Sequence, residues 1–198
     1  MVNAIHLFSL TMEPETRVVA RGLRTRDPKL LESLITKYEY RLFRYLLYLV
    51  GSRETARDLF QETWLRVLAR GRQYDGKSRF DAWLFTIARH LVIDASRRKT
   101  IDSLDELLNP ADGSHAWEPR ASELSPLLQL AARENAVHLD MALGQLSPVY
   151  REVLLLRFQE ELSLEEIASV VKVPLSTVKS RLYRGLSAAR VLIEAQRP

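Results

Sequence analysis

Apolar residues recur along most of this chain at spacings of three and four, the period of a helix that buries one face. Leu30, Leu31, Leu34, Tyr38, Leu42, Tyr45, Leu46 and Leu49 form one such stripe. Ala56, Leu59, Phe60, Trp64, Val67 and Leu68 form a second, and Phe80, Trp83, Leu84, Ile87, Ala88 and Leu91 a third. No sustained alternation of apolar and polar residues interrupts them, so no sheet is predicted. Gly51-Ser52 separates the first two helices, with Ser52 placed to cap the second. Gly71 to Ser78 separates the second and third and holds Gly71, Asp75 and Gly76 as turn residues.

The pattern changes after residue 100. From Ile101 to Leu130 the chain carries Pro110, Pro119, Pro126 and several serines, and its six acids against the single base Arg120 give a net charge of −5. Such a stretch reads as a tether. Helical periodicity resumes through Val137, Met141 and Leu146, and Ser147-Pro148 reads as a cap with proline at the first helical position. The expectation is an all-α protein: an N-terminal extension (1–26), a helical domain (27–100), an acidic linker (101–132) and a second helical domain (133–198).

The second domain carries a recognisable constellation. Ser163 and Glu166 have the spacing of a capping box. The helix they open bears Leu164, Ile167, Ala168 and Val171 on one face. The short turn Lys172-Val173-Pro174 follows, and a second helix buries Val178, Leu182, Leu186 and Ala189. Two short helices joined in this way form a helix-turn-helix. Lys172, where glycine is the usual residue, is expected to take positive φ. The second helix exposes Ser176, Thr177, Lys179, Ser180, Arg181 and Arg184, and from Ser176 to Arg190 it holds four bases and no acid. A helix that enters a DNA major groove needs donors for bases and phosphates and no carboxylate to repel the backbone.

Composition narrows the classes. The net charge of +4 permits a nucleic-acid partner. The absence of cysteine excludes disulfides, thiolate zinc sites and thiol catalysis, and suits a reducing, cytoplasmic setting. The apolar runs are too short to span a bilayer, and the first ten residues have neither a basic start nor a cleavage site of the secretory kind. In the first domain, Arg70 to Lys99 is strongly basic with interleaved Tyr74, Phe80, Trp83 and Phe85, a combination suited to unpaired bases. Phe80 and Trp83 read as core. Tyr74, in a polar loop, reads as the stacking residue.

These segments resemble a known family. Asp58-Leu-Phe-Gln-Glu-Thr-Trp-Leu-Arg66, Phe80-Asp-Ala-Trp-Leu-Phe-Thr-Ile-Ala-Arg89 and Asp94 through Arg97-Arg98 look like region 2 of bacterial sigma factors. Leu146-Ser-Pro through Arg157, Leu162 through Ala168 and Thr177 through Leu182 look like region 4. Two such regions with nothing resembling region 3 between them are similar to the extracytoplasmic-function (ECF) type. The resemblance implies a factor that binds core RNA polymerase and directs promoter-specific initiation. Asp58, Gln61 and Glu62 would meet the beta-prime clamp helices, with the beta flap as a further contact. Gln73, Tyr74, Asp75, Lys77 and Arg79 would hold a flipped base of the −10 element, and Arg89, His90, Asp94, Arg97 and Arg98 would line that element. Ser176, Thr177, Lys179, Ser180, Arg181 and Arg184 would read the −35 element. His90 departs from the asparagine usual there, and Pro174 from the serine usual before the recognition helix. An anti-sigma factor is a further partner that membership implies. No cofactor, catalytic residue, metal site or membrane insertion is expected.

Two other readings compete. A two-domain helix-turn-helix regulator would need a sensor pocket or phosphoacceptor pattern, and none is evident. A metal-dependent hydrolase would use His90 and Asp94, which share a helix face at i and i+4, but the other histidines are scattered.

Overall fold

The computed structural model describes residues 15–102, 139 and 141–195, with side chains at 98–102 left out; most of the acidic linker therefore lies outside the described residues. Every regular element among the described residues is helical.

The N-terminal segment is more than an extension. Glu15–Thr25 forms a helix, α1, whose Val19, Ala20 and Leu23 are buried in the core of the first domain. The spacing of these three residues is helical, but one turn of apolar side chains carries little periodic signal. Helix α2, Pro28–Val50, starts where the Asp27 side chain accepts from the Lys29 N–H at 3.0 Å, with proline at the position whose N–H would have no partner. It ends at Gly51, in the left-handed region at φ 70°. Helix α3, Arg53–Arg70, is capped by Ser52, which accepts from Thr55 N–H. A 3-10 turn at Gly71–Gln73 and a short loop lead into α4, Phe80–Asp102.

Leu42, Tyr45 and Leu46 of α2, Ala56 and Val67 of α3, and Leu84, Phe85 and Ala88 of α4 are almost fully inaccessible. Tyr45 and Phe85 meet edge to face at 5.0 Å. Two predicted stripe members lie elsewhere: Leu68 is 40% exposed on α3, and Leu186 is 41% exposed in the second domain.

In the second domain, residues 141–145 are helical and precede α5, Pro148–Leu154. Ser147 occupies the cap position without a side-chain hydrogen bond. Helix α5 runs directly into a π-helical segment, Leu155–Gln159, closed by the Glu160 N–H on the Leu155 carbonyl. The wider turn lets Phe158 face solvent while Glu160 faces inward. Helix α6, Leu164–Val171, has the predicted capping box in full: Glu166 N–H donates to Ser163 Oγ, and Ser163 N–H to the Glu166 carboxylate. Lys172 takes φ 56°, as its place at the turn requires, and α7, Leu175–Ala195, follows.

The two domains do not stand apart. Helix α6 packs along α4, α5 reaches α2, and the buried apolar residues of both domains form one continuous cluster.

Candidate polymerase and nucleic-acid interfaces

Three surfaces carry the predicted residues. The first is on α3. Asp58 and Gln61 are exposed, and Glu62, half-buried, accepts from Arg66 Nε at 2.8 Å. Leu65, 58% exposed, and Leu68 continue the line of Asp58 and Gln61 at positions i+7 and i+10. The face is thus a polar edge running into two exposed leucines. Sequence reading missed both, having counted Leu68 with the core, although their register relative to Asp58 was available. Exposed apolar residues rimmed by polar ones mark partner surfaces.

The second surface is the loop between α3 and α4 with the face of α4 beyond it. Gln73, Lys77 and Arg79 are exposed. Tyr74 is not the exposed stacking ring expected of it. It is 1% exposed and packs on Trp83 at 5.2 Å and Phe80 at 5.7 Å, and its hydroxyl donates to the Ser78 carbonyl at 2.6 Å. Burial, reinforced by Asp81, pushes its pKa to about 12. The reason is geometric: the 3-10 turn places residue 74 in extended backbone facing the domain, so the ring closes the end of the core. Trp83, expected in the core, keeps part of its surface.

Asp75 accepts from the Lys77 N–H at 3.0 Å, and that bond holds its carboxyl below the usual range. Gly76 follows at φ 72°. One carboxylate oxygen therefore serves the turn. Asp81 was not singled out from sequence. It is 3% exposed, and its carboxylate receives the Arg79 guanidinium, which raises the pKa of Arg79. Asp81 thereby fixes where the loop's arginine emerges. Beyond the loop, His90, Asp94 and Arg97 are exposed along α4. The side chain of Arg98 lies outside the described residues. No group of three His, Asp or Glu side chains is arranged to hold a metal among the described residues.

Arg89 points into the seam between the domains. Its Nε donates to Glu152 Oε1 at 2.8 Å, and Tyr45 donates its hydroxyl to the same oxygen at 3.0 Å. Arg41 pairs with the fully buried Glu160 at 2.9 Å. Arg79 reaches the Glu161 carbonyl at 3.2 Å, and Arg151 donates to the Tyr48 carbonyl at 2.6 Å. None of these long-range partners is visible in a linear reading, because they lie 63 to 119 residues apart.

The third surface is α7. Ser176, Lys179, Ser180 and Arg184 are exposed, and Thr177 and Arg181 are half-buried at the edge of the same face. Val178 and Ala189 are buried beneath it, and Gly185 lies against Leu154 and Tyr150, where an added Cβ would sit 3.3 Å from each. Behind this face opens an apolar groove of about 660 Å³, walled by Leu139, Leu143, Leu154, Leu155, Phe158 and Leu186. Leu186 is exposed because it forms this wall rather than the domain core.

A helix-turn-helix domain joined to a helical domain with a basic loop is the arrangement of a two-region transcription factor of the sigma-70 type. Models of Sigma-70 region 2 and of Sigma-70 region 4 match residues 34–101 and 137–188. The ECF RNA polymerase sigma factor SigX of Bacillus subtilis is 30% identical over 83% of this chain and 84% of its own length. The RNA polymerase sigma-H factor of Pseudomonas aeruginosa is 30% identical over 90% of this chain and 93% of its own. The sigma factor RpoE of Bartonella quintana, solved in complex with the anti-sigma factor NepR, superposes with a TM-score of 0.67 at 25% identity, over 84% of this chain and 98% of RpoE. The chain belongs to the ECF sigma factor family, whose members direct RNA polymerase to promoters. No described helix is long and apolar enough to cross a membrane.

Proposed function

We propose that the three surfaces divide the work of a sigma factor. The α3 face, with Asp58, Gln61, Glu62, Leu65 and Leu68, docks on the beta-prime clamp helices. The loop from Gln73 to Arg79 and the α4 residues Arg89, His90, Asp94, Arg97 and Arg98 meet the −10 element as it melts. The α7 residues Ser176, Thr177, Lys179, Ser180, Arg181 and Arg184 read the −35 element. The groove behind α7 takes an apolar segment of the beta flap, and an anti-sigma factor, of the kind that RpoE binds, regulates access. The chain works in the cytoplasm by binding alone and is not an enzyme.

The observation that carries this reading is the face of α7: exposed donors without an acid from Ser176 to Arg190, set by the capping box and the left-handed Lys172. Polymerase would hold both domains on one DNA, so neither need bind tightly by itself; tethering raises the effective concentration of the second. A few kcal/mol of lost stacking at the melted bases would be offset by the basic loop and helix. Tyr74 contributes by shaping the loop from beneath, and Lys77 and Arg79 supply the exposed cations.

The test is run-off transcription with core polymerase on a genomic fragment library. New start sites are expected with the wild-type protein. Lys179→Ala combined with Arg184→Ala should abolish them while leaving core binding intact. Start sites that survive this double variant unchanged would remove α7 from promoter reading. A regulator acting without replacing a sigma factor would change transcription only in the presence of another sigma factor.

A further inference from the structure

We propose that α1 is a phosphate clamp: Arg17 and Arg24, with Arg72 of the adjoining 3-10 turn, hold the backbone of the DNA strand whose base the −10 loop takes. The proposal rests on the reading that the loop from Gln73 to Arg79 meets the −10 element.

Helix α1 precedes the residues that match Sigma-70 region 2. Its buried set, Val19, Ala20 and Leu23, fixes how it lies on the first domain. Leu23 abuts Gly71, where an added Cβ would sit 3.1 Å from the leucine's own, and the Thr16 carbonyl abuts Gly76, where one would sit at 2.9 Å. The helix thus runs along the chain from the 3-10 turn to the −10 loop, with Arg24 at the Arg72 end and Arg17 at the Lys77 end. Arg17, Arg21 and Arg24 recur at four and three residues, so they share one face, and all three are exposed. Arg70 and Arg72 flank Gly71 and are exposed as well. Among the described residues no ion pair joins Arg17, Arg24, Arg70 or Arg72 to a carboxylate, whereas Arg41, Arg66, Arg79 and Arg89 of the same domain each meet one. The neighbouring acids are engaged elsewhere: Glu15 on Lys37, Asp27 on the Lys29 N–H and Asp75 on Lys77.

Arginine rather than lysine at every position of the stripe favours phosphate, whose oxygens the planar guanidinium grips in pairs. From Arg17 to Arg24 the helix rises ~10 Å, the length of about three nucleotides at ~3.4 Å each. An acidic protein surface fits less well. Protein interfaces are centred on apolar anchors, and Val18 is the only exposed apolar residue of α1. A base drawn into the loop brings its flanking phosphates to this stripe, so the clamp adds sequence-independent affinity where the loop reads a base.

The test measures binding of the full chain to a mixed-sequence DNA single strand of about twelve nucleotides, between about 50 and 200 mM NaCl. Each phosphate contact contributes about 0.7 to the slope of log affinity against log salt. Arg17→Ala combined with Arg24→Ala should lower that slope by about 1.4, so that its deficit against the wild type is about sevenfold greater at the lower salt. Arg53→Ala combined with Arg57→Ala removes the same charge from exposed positions about 25 Å along α3 from Arg70, beyond a Debye length, and should change the slope by less than about 0.3. If the α1 variant loses helicity, Arg72→Ala carries the test, with a slope lower by about 0.7. Equal losses in the α1 and α3 variants would reduce the effect to net charge and overturn the clamp. An unchanged slope in the α1 variant, with a loss of about 0.7 in Lys77→Ala, would overturn the clamp and leave the loop assignment standing. An unchanged slope in both would overturn the loop assignment as well. An unchanged slope with weakened binding to core polymerase would give the stripe to a protein partner and overturn the clamp.

Discussion

Gly51 and Gly76 have almost the same backbone, φ 70° and 72°, but opposite surroundings. A Cβ on Gly51 would meet nothing within 4 Å. On Gly76 it would lie 2.9 Å from the Thr16 carbonyl oxygen and 3.2 Å from Ala20 Cβ, both on α1. Gly51→Ala therefore measures the left-handed backbone alone, about 1–2 kcal/mol. Gly76→Ala adds a clash with main chain, which has no rotamer to move to. Overpacking of that kind costs a further ~1–3 kcal/mol. Paired urea unfolding curves give the difference, and hydrogen exchange should show faster opening of α1 only in Gly76→Ala. Because the loop carries the cations assigned to the −10 element, that variant should also lose promoter opening before it loses duplex binding. Equal destabilisation of the two variants, within about 0.5 kcal/mol, would mean that α1 does not hold the loop.

Leu65→Ser should leave the unfolding midpoint nearly unchanged, because the side chain is mostly exposed, while costing ~1 kcal/mol or more of core polymerase binding; full retention of binding would remove the leucines from the docking face. Arg181→Ala should cost ~1–3 kcal/mol at the upstream element and relax its sequence preference, whereas Lys179→Ala should weaken all sequences alike; footprinting on a base-substituted promoter series separates the two. Burial raises the Glu160 carboxyl above its ordinary 4.5 more than the Gln159 amide and Arg41 lower it. The folded chain thus holds that proton more tightly than the unfolded one, and this contribution is full below pH 4.5 and lost as pH rises through the raised value. Relative to Glu160→Gln, which has no proton to exchange, the wild type should gain stability as pH falls through that window; a difference in urea midpoint that is flat with pH would refute it.

Local signals were the most legible. The capping box at Ser163, the Ser52 cap, the positive φ of Lys172 and the order of the helices all follow from interactions within four residues, which a linear reading contains. The α1 helix was missed because its buried set, Val19, Ala20 and Leu23, spans little more than one turn; its docking depends on residues as distant as Gly71, whose Cβ position lies 3.1 Å from Leu23. Tyr74 was misplaced for a related reason. A tyrosine in a polar loop can face either way, and what decides is the meeting of Phe80 and Trp83 with a carbonyl at Ser78 that satisfies its hydroxyl. Leu68 and Leu186 show the same limit from the other side. Periodicity reports which residues share a face, and a face can be completed by a partner as well as by the chain's own core.

The seam extends that argument to charge. Glu152 lies beside Val153 and Leu154 in a buried turn, and a carboxylate there reads as a flaw in the pattern until its partners are known. Those partners, Arg89 and Tyr45, belong to a different domain and sit among residues that the sequence assigns to DNA and to the core, respectively. Arg89 therefore faces two demands, the Glu152 carboxylate that it meets in this structure and the −10 phosphate or base proposed for it. Lysine would keep the charge but lose the planar fork that serves both geometries. Arg89→Lys should therefore weaken the seam and the proposed −10 contact together, whereas Glu152→Gln weakens only the first. A larger loss of −10 affinity in Arg89→Lys than in Glu152→Gln is the expected result, and equal losses would assign Arg89 to the seam alone.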